Sequence, residues 1–227
     1  MNIEPLSDGK IIEAWKRNAS PWTNAVRAGE IESRRLVTDR AILDAVLACR
    51  PQTVVDLGGG EGWLALALQQ NGIEVTAVDA VPALALAARQ AGVVDSRVMS
   101  YEEIADGRLK LSVNVVVCNF SLLGKESVDR LLQAIPALLK PDGTLIVQTL
   151  HPLVSCGDLP YIDGWRPGSW AGFGPAFTNA PPWYFRTLGT WLELIRISGL
   201  TLRALQEPID PRTGRPASVV FRAHRVG

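Results

Sequence analysis

Strand-like segments that alternate with helices of about ten residues predict an α/β fold built on a parallel sheet. Three observations carry that expectation. TVVDL (53–57) and VNVVVCNF (113–120) are almost wholly apolar, as strands covered on both faces should be. The segments between strands read as helices rather than tight hairpins until the chain nears its C-terminal end. The first strand also runs straight into a turn, TVVDLGGGEGWL, in which four glycines fall within five positions.

The elements follow in order. Residues 1–50 read as helices, with Ser20-Pro21 as an N-cap followed by Pro at the first helical position, and Gly29 as a C-terminal stop. TDRAILDAVLAC (38–49) is an amphipathic helix. After the first strand, EGWLALALQQ is a helix ended by Asn71-Gly72, and EVTAVD (74–79) is a strand. PALALAARQAG is a helix with Pro82 at its start and Gly92 at its end. SRVMS (96–100) is a weaker strand and VNVVVCNF a strong one. SVDRLLQAIPALLK is helical, with Pro136 marking a kink or restart. PDG then makes a turn into the strand TLIVQTL (144–150).

At His151 the alternation breaks. Residues 151–185 are irregular and rich in Pro and Gly, and nine of the fifteen aromatics lie between Tyr161 and Trp191. A long loop inside a compact domain is usually functional or disordered, and the Trp and Tyr content argues against disorder. TLGTWLELIRISG (187–199) is the last helix. LTLRALQEP (200–208) and SVVFRAHRV (218–226), joined by IDPRTGRP, form an antiparallel pair. The organisation expected over residues 1–227 is therefore a single domain. It has a helical N-terminal cover (1–50), a ligand-binding core (50–150), an aromatic insertion or lid (151–185), and a C-terminal helix with a strand pair (186–227).

Composition narrows the function. Lys+Arg and Asp+Glu both number 23, so the net charge is zero, and no broad basic field is present for nucleic acid. A local patch such as Arg34-Arg35 is still compatible with that balance. No apolar run approaches the roughly 20 residues of a membrane span, and the N-terminal sequence has no signal-peptide pattern. The three cysteines lack both metal-ligand and disulfide spacing. A reduced cytoplasmic protein is expected, with neither nucleic acid nor membrane as partner and its oligomeric state open.

The glycine turn carries the chemistry. Glycines at a strand-to-helix turn let the backbone approach a ligand and adopt positive φ, beside the exposed N–H groups of a helix start. The dinucleotide pattern G-x-G-x-x-G fits poorly, because counting from Gly58 places Trp63 in the third-glycine slot. No G-K-[ST] follows, so a P-loop is excluded. What remains is an acid, Asp56, at the strand end followed by Gly58 and Gly60.

VVDLGGGEG resembles motif I of the class I S-adenosylmethionine-dependent methyltransferases. VTAVDA resembles the second strand of that family, SYEE its third-strand segment, VVVCNFSLL its fourth, and LLKPDGTLIVQT its fifth. ISGLTLRALQEP is similar to its late helix–strand step. The resemblance covers about residues 50–150 well and 185–225 more loosely. It implies a Rossmann-like methyltransferase fold: a seven-stranded, mostly parallel sheet with one antiparallel strand and helices on both faces. It also implies S-adenosyl-L-methionine as cofactor, S-adenosyl-L-homocysteine as product, and a small-molecule acceptor.

By the same resemblance, the cofactor-binding candidates are Asp56, Gly58, Gly60, Asp79 for the ribose hydroxyls with Ala80 beside it, and Ser100, Tyr101 and Glu102 near the adenine. Asn119 and Phe120 follow for the methionine portion. In the N-terminal cover, Trp22 is a candidate lid, and Arg27 a candidate partner for the methionine carboxylate. Direct displacement at a sulfonium methyl needs alignment, and it needs a base only where the acceptor must lose a proton. His151, just beyond the fifth strand, is the candidate catalytic base, against the simpler reading that it orders the turn before Pro152. In the insertion, Tyr161, Trp165, Arg166, Trp183, Tyr184 and Arg186 are the substrate-binding candidates, with Trp170, Phe173 and Phe185 as further aromatic wall. A dimer contact or a satellite core explains the same aromatics. Two other functions fit the fold: an NAD(P)-binding oxidoreductase, and a non-catalytic member that binds the cofactor.

Overall fold

The computed structural model describes residues 6–225. A seven-stranded sheet forms its centre. The strands are β1 (Thr53–Leu57), β2 (Glu74–Asp79), β3 (Asp95–Val98), β4 (Val113–Asn119), β5 (Leu139–Thr149), β8 (Leu200–Gln206) and β11 (Val219–Arg225). Their order is β3-β2-β1-β4-β5-β11-β8. All of these strands run parallel except β11, which pairs antiparallel with both β5 and β8. This is the expected sheet with one antiparallel strand. The order reverses between β1 and β4, and in an open α/β sheet a ligand crevice lies at the carboxyl ends of the strands there.

Why the central strands lack alternation is visible in the core. Successive side chains point to opposite faces, and both faces are covered. Val54, Val115, Val117 and Ile146 pack on one face with Ile42 and Val46 of α2 (Asp39–Leu47), Leu64 and Leu68 of α3 (Trp63–Gln70), and Ala88 of α4 (Pro82–Ala91). Val55, Leu57, Val116, Cys118 and Val147 pack on the other. Their partners there are Ile104 of α5 (Tyr101–Ala105), Leu131 and Ile135 of α6 (Glu126–Leu138), and Trp191 and Leu194 of α8 (Leu188–Ile197). Truncating a fully buried member such as Phe221 to Ala would cost about 3–5 kcal/mol.

The first helix departs from the sequence reading. α1 spans Asp8–Arg27 with Ser7 at the N-cap, so Ser20-Pro21 lies inside the helix rather than at its start. Pro21 removes one helical N–H donor. The helix continues because its buried face, Ile11, Ala14, Ala19 and Ala25, is held by packing against the body of the protein. Gly29 does follow the helix end, at φ +67°. Between α1 and α2, Arg34–Thr38 form a π-helical turn that no periodicity marks. Pro136 likewise lies within a continuous α6, without a restart.

The fifth strand begins earlier than expected, at Leu139. Val113 pairs with Leu139 and Val115 with Thr144, so the PDG segment bulges out between them, with Asp142 at φ +61°. The insertion is also more regular than its composition implied. It holds a helical turn, α7 (Pro152–Ser155), and an antiparallel ribbon of β6 (Gly164–Arg166) and β7 (Trp183–Phe185). A small hairpin, β9 (Ile209–Asp210) with β10 (Arg215–Pro216), interrupts the link from β8 to β11. Arg212 of its turn pairs with both Asp210 and Glu32, tying this hairpin to the segment after α1.

Candidate functional site

A cavity of about 440 Å³ opens at the carboxyl ends of β1, β2 and β4, beneath α1 and the insertion. That volume suits a cofactor-sized ligand. Its floor is the glycine turn, and each glycine there answers a different demand. Gly58, at φ +75°, is packed: a Cβ would sit 2.3 Å from the Ser121 Cβ and 2.7 Å from the Tyr101 hydroxyl. Gly60, at φ +58°, faces the cavity, where a Cβ would meet only the Trp22 Nε1 at 3.8 Å.

Three carboxyls converge on this turn. Asp79 Oδ2 accepts from the Gly60 N–H at 2.9 Å and Oδ1 from the Val81 N–H at 2.8 Å. Asp56 lies beneath Gly59, and Glu61 Oε2 accepts from Trp22 Nε1 at 2.9 Å. Burial pushes the Asp56 carboxyl up to about 7, and the charges of Asp79 and Glu61 push the same way. Burial raises Asp79 to about 6 against the two backbone donors that favour its charged form. Burial also raises Glu61, with Arg34 and Trp22 opposing. A cluster of this kind relaxes when a cation enters.

Four buried polar side-chain atoms at this wall have no partner: Arg34 Nη2, Thr38 Oγ1, Glu61 Oε1 and Asn119 Oδ1. Buried polar groups are ordinarily satisfied, so four unpaired ones clustered in residues of one cavity wall mark the part of the wall where a polar ligand would find partners after a small side-chain adjustment. Arg34 is held ready, with Nε donating to Asp39 at 2.9 Å and the guanidinium 4.9 Å from the Trp63 ring and 5.7 Å from Trp22. One cationic donor, two acceptors and a hydroxyl that can act as either are chemically suited to the carboxylate and ammonium of an amino-acid moiety.

Among the expected cofactor residues, Trp22, Asp56, Gly58, Gly60, Asp79, Ala80, Tyr101, Glu102, Asn119 and Phe120 line the cavity. Arg27 does not: it is exposed, and its Nη2 donates to the Ala87 carbonyl at 3.0 Å. Arg34, from the segment after α1, lines the cavity instead. Ser100 is also off the wall, because its hydroxyl and Glu103 form a capping box on α5.

The insertion separates more sharply. Trp183 lines the cavity, together with Trp170 and Phe173, but Tyr161, Trp165, Arg166, Tyr184 and Arg186 do not. Their roles are internal to the insertion and its seat. The Tyr161 hydroxyl accepts from the Leu188 N–H at 2.8 Å, and Trp165 packs edge-on against Tyr184. Arg166 donates to the Pro160 carbonyl and lies over Phe185, which is itself wholly buried. Arg186 donates to the Gly124 carbonyl at 2.8 Å and to Asp129 at 2.8 Å, between the Tyr184 and Trp191 rings. Both guanidiniums are thus engaged within the insertion and its seat, away from the cavity wall.

His151 is likewise off the cavity wall. It is buried, with Nε2 2.6 Å from Glu207 Oε1. Its Nδ1 has no partner, and its backbone carbonyl accepts from the Val154 and Ser155 N–H groups, as expected of a histidine that orders the turn at Pro152. Arg34, Glu61, Trp15 and Trp63 also line the cavity, and the sequence reading assigned none of them a role. The one available signal was the position of Glu61 inside the glycine run.

A family model described as "Methyltransferase domain" matches residues 31–203. A ubiquinone biosynthesis O-methyltransferase of Xanthomonas campestris is 36% identical over 103 residues, 43% of this chain and 43% of that protein. The chain thus spans less than half the length of the curated relatives it matches. Among solved structures, 1,6-didemethyltoxoflavin-N1-methyltransferase of Burkholderia thailandensis was solved with its namesake compound and S-adenosylhomocysteine bound. It superposes with a TM-score of 0.63 at 22% identity, covering 99% of this chain and 93% of that one. A putative S-adenosylmethionine-dependent methyltransferase of Listeria monocytogenes gives a TM-score of 0.62 at 19% identity, over 78% of this chain and 90% of that one. These likenesses establish the shared fold.

Proposed function

The chain belongs to the methyltransferase domain family, and from that premise we propose that it transfers a methyl group from S-adenosylmethionine to a small-molecule acceptor. The family match sets the NAD(P) alternative aside. The observation that carries the cofactor assignment is the set of buried, partnerless polar atoms around the glycine turn. Arg34 Nη2 would hold the methionine carboxylate, and Asn119 Oδ1 with Glu61 Oε1 its ammonium. Asp79 would exchange its Gly60 contact for the ribose hydroxyls, with Ala80, Tyr101 and Glu102 about the adenine.

When bound, the cofactor supplies a methyl group on a sulfonium. The chain's own task is then to position and to exclude water. Trp22, on α1, and the insertion residues Trp170 and Phe173 cover the cavity; Trp22 and Phe173 stack at 6.4 Å. Holding the acceptor in line with the transferred methyl supplies several kcal/mol of rate enhancement without any acid or base.

Calorimetric titration with S-adenosylhomocysteine tests this reading. Micromolar binding is expected, lost in both Asp79→Ala and Arg34→Ala. No binding by the folded wild-type chain would overturn it.

A further inference from the structure

We propose that Gln148, which does not line the cavity, is a positioning residue. Its side-chain amide fixes the π-helical turn that carries Arg34 against the strand end that carries Asn119, so that these two meet the amino-acid end of the cofactor at a set spacing. The inference rests on the methyltransferase reading above and concerns how that site is held in shape.

Gln148 lies near the end of β5 and is 1% exposed. The residues before it, Leu145, Ile146 and Val147, are buried and apolar. Ile146 packs with Ile42 and Val46 of α2, and Gln148, two residues on, points to the same face. There its Nε2 donates to the Thr38 carbonyl at 3.1 Å, across 110 residues of chain. Its backbone carbonyl accepts from the Phe120 N–H at 2.8 Å. One residue thus grips two segments, one through its side chain and one through its main chain.

Both segments are unusual, and both reach the cavity. Arg34–Thr38 is π-helical, a form that is rare and that recurs at functional sites. The Asp39 N–H closes this turn on the Arg34 carbonyl, and Asp39 Oδ1 accepts from Arg34 Nε at 2.9 Å. Those bonds shape the turn but are internal to it. The Gln148 amide supplies a bond from the turn to the sheet. On the other side, Phe120 follows β4 at φ +52°, a left-handed backbone that a residue other than glycine holds only where its surroundings impose it. Arg34, Thr38, Asn119 and Phe120 all line the cavity, and the first three carry the partnerless polar atoms Nη2, Oγ1 and Oδ1.

Stability alone does not call for a glutamine at this position. A buried amide gives up its hydration, and Gln148 Oε1 has no hydrogen-bond partner among the described residues. Methionine has a similar length and flexibility and carries no such cost. The amide is a burden on the core, yet it joins two parts of the cofactor wall. That combination is expected where function is set against stability.

The test compares the full chain with Gln148→Met, which removes the bond to Thr38 and keeps the main-chain bond to Phe120. Calorimetric titrations use two ligands. S-adenosylhomocysteine carries the amino-acid end, and 5′-methylthioadenosine keeps the adenosine and the sulfur but lacks it. Gln148→Met should bind S-adenosylhomocysteine about fivefold more weakly, the effect of one hydrogen bond, and 5′-methylthioadenosine within about twofold of wild type. Differential scanning fluorimetry should show a Tm that holds or rises. In a double-mutant cycle Gln148→Met should add little to Arg34→Ala, because both act through the same turn. Gln148→Leu serves if the methionine variant does not fold. A residue that only stabilised the fold would lower Tm and weaken both ligands alike, and that result overturns the proposal. Unchanged S-adenosylhomocysteine affinity, or losses that add to those of Arg34→Ala, also overturn it. Each of these results leaves the methyltransferase reading standing, whereas failure of the folded wild type to bind either ligand removes both.

Discussion

The side-chain amide of Asn18 is clamped to the backbone of Thr178: Nδ2 donates to the Thr178 carbonyl at 2.7 Å, and the Thr178 N–H donates to Oδ1 at 2.9 Å. Asn18 is wholly buried on α1, and Thr178 belongs to the insertion. The two covers of the cavity are thus joined by a pair of bonds that mimics a strand pairing. Asn18→Leu should leave the Thr178 N–H without its protein partner and its carbonyl with only the Trp170 Nε1 donor at 3.1 Å, which loosens the join between the two covers. The expected outcome is faster proteolytic cleavage within 168–181 and weaker S-adenosylhomocysteine binding, with the core's thermal unfolding little changed. Unchanged cleavage kinetics would show that the covers close independently.

The glycine turn should separate fold from binding. Gly58→Ala forces a Cβ into the Ser121 side chain at positive φ, so a lower Tm is expected. Gly60→Ala meets open space and carries only the left-handed penalty, about 1–2 kcal/mol. It should fold and yet lose cofactor affinity, because its methyl enters the cavity. Differential scanning fluorimetry beside calorimetry distinguishes the two.

The carboxyl cluster predicts a pH dependence with a definite sign. Asp56 and Asp79 are raised in the folded state from an ordinary value of 3.8 to about 7 and about 6. A carboxyl raised in this way contributes stability that is fully present below its unfolded pKa and is lost as pH rises through the folded one. Without cofactor, Tm should therefore fall between about pH 4 and pH 7, and Asp56→Asn should flatten that fall. S-adenosylmethionine carries a net positive charge and favours the ionised cluster. Its affinity should rise over the same range more steeply than that of neutral S-adenosylhomocysteine. Parallel slopes for the two ligands would argue against an electrostatic role for the cluster.

Two arginines of the N-terminal cover provide a direct contrast. Arg34→Ala removes a buried guanidinium of the cavity wall whose Nη2 has no partner, and S-adenosylhomocysteine affinity should fall by tenfold or more, about 1.4 kcal/mol at the least. Arg27→Ala removes an exposed side chain that reaches only the Ala87 carbonyl, and the same titration should barely change. Equal losses in both variants would return Arg27 to the site.

Local pattern made the fold legible. Pro82 at a helix start, and Gly72, Gly92 and Gly199 at helix ends all act within a few residues, and the structure has each where the sequence places it. The glycine turn and the acids at the ends of β1 and β2 were equally local, because a strand end and its following turn are read as one unit. Ser20-Pro21 misled because the same dipeptide marks a helix start when exposed and is tolerated inside a helix held by packing.

The sequence by itself determined the sheet, the turn that forms the cavity floor, and the family. The tertiary structure alone decided which long side chains face the cavity. Arg34 rather than Arg27 reaches the wall, Trp183 looks inward while its neighbour Tyr184 does not, and His151 turns to Glu207. Each of those orientations depends on partners far away in the chain, across segments with no period. Repeating local forces write themselves into a sequence, whereas the direction of a side chain in an irregular segment is set by whatever the fold brings against it.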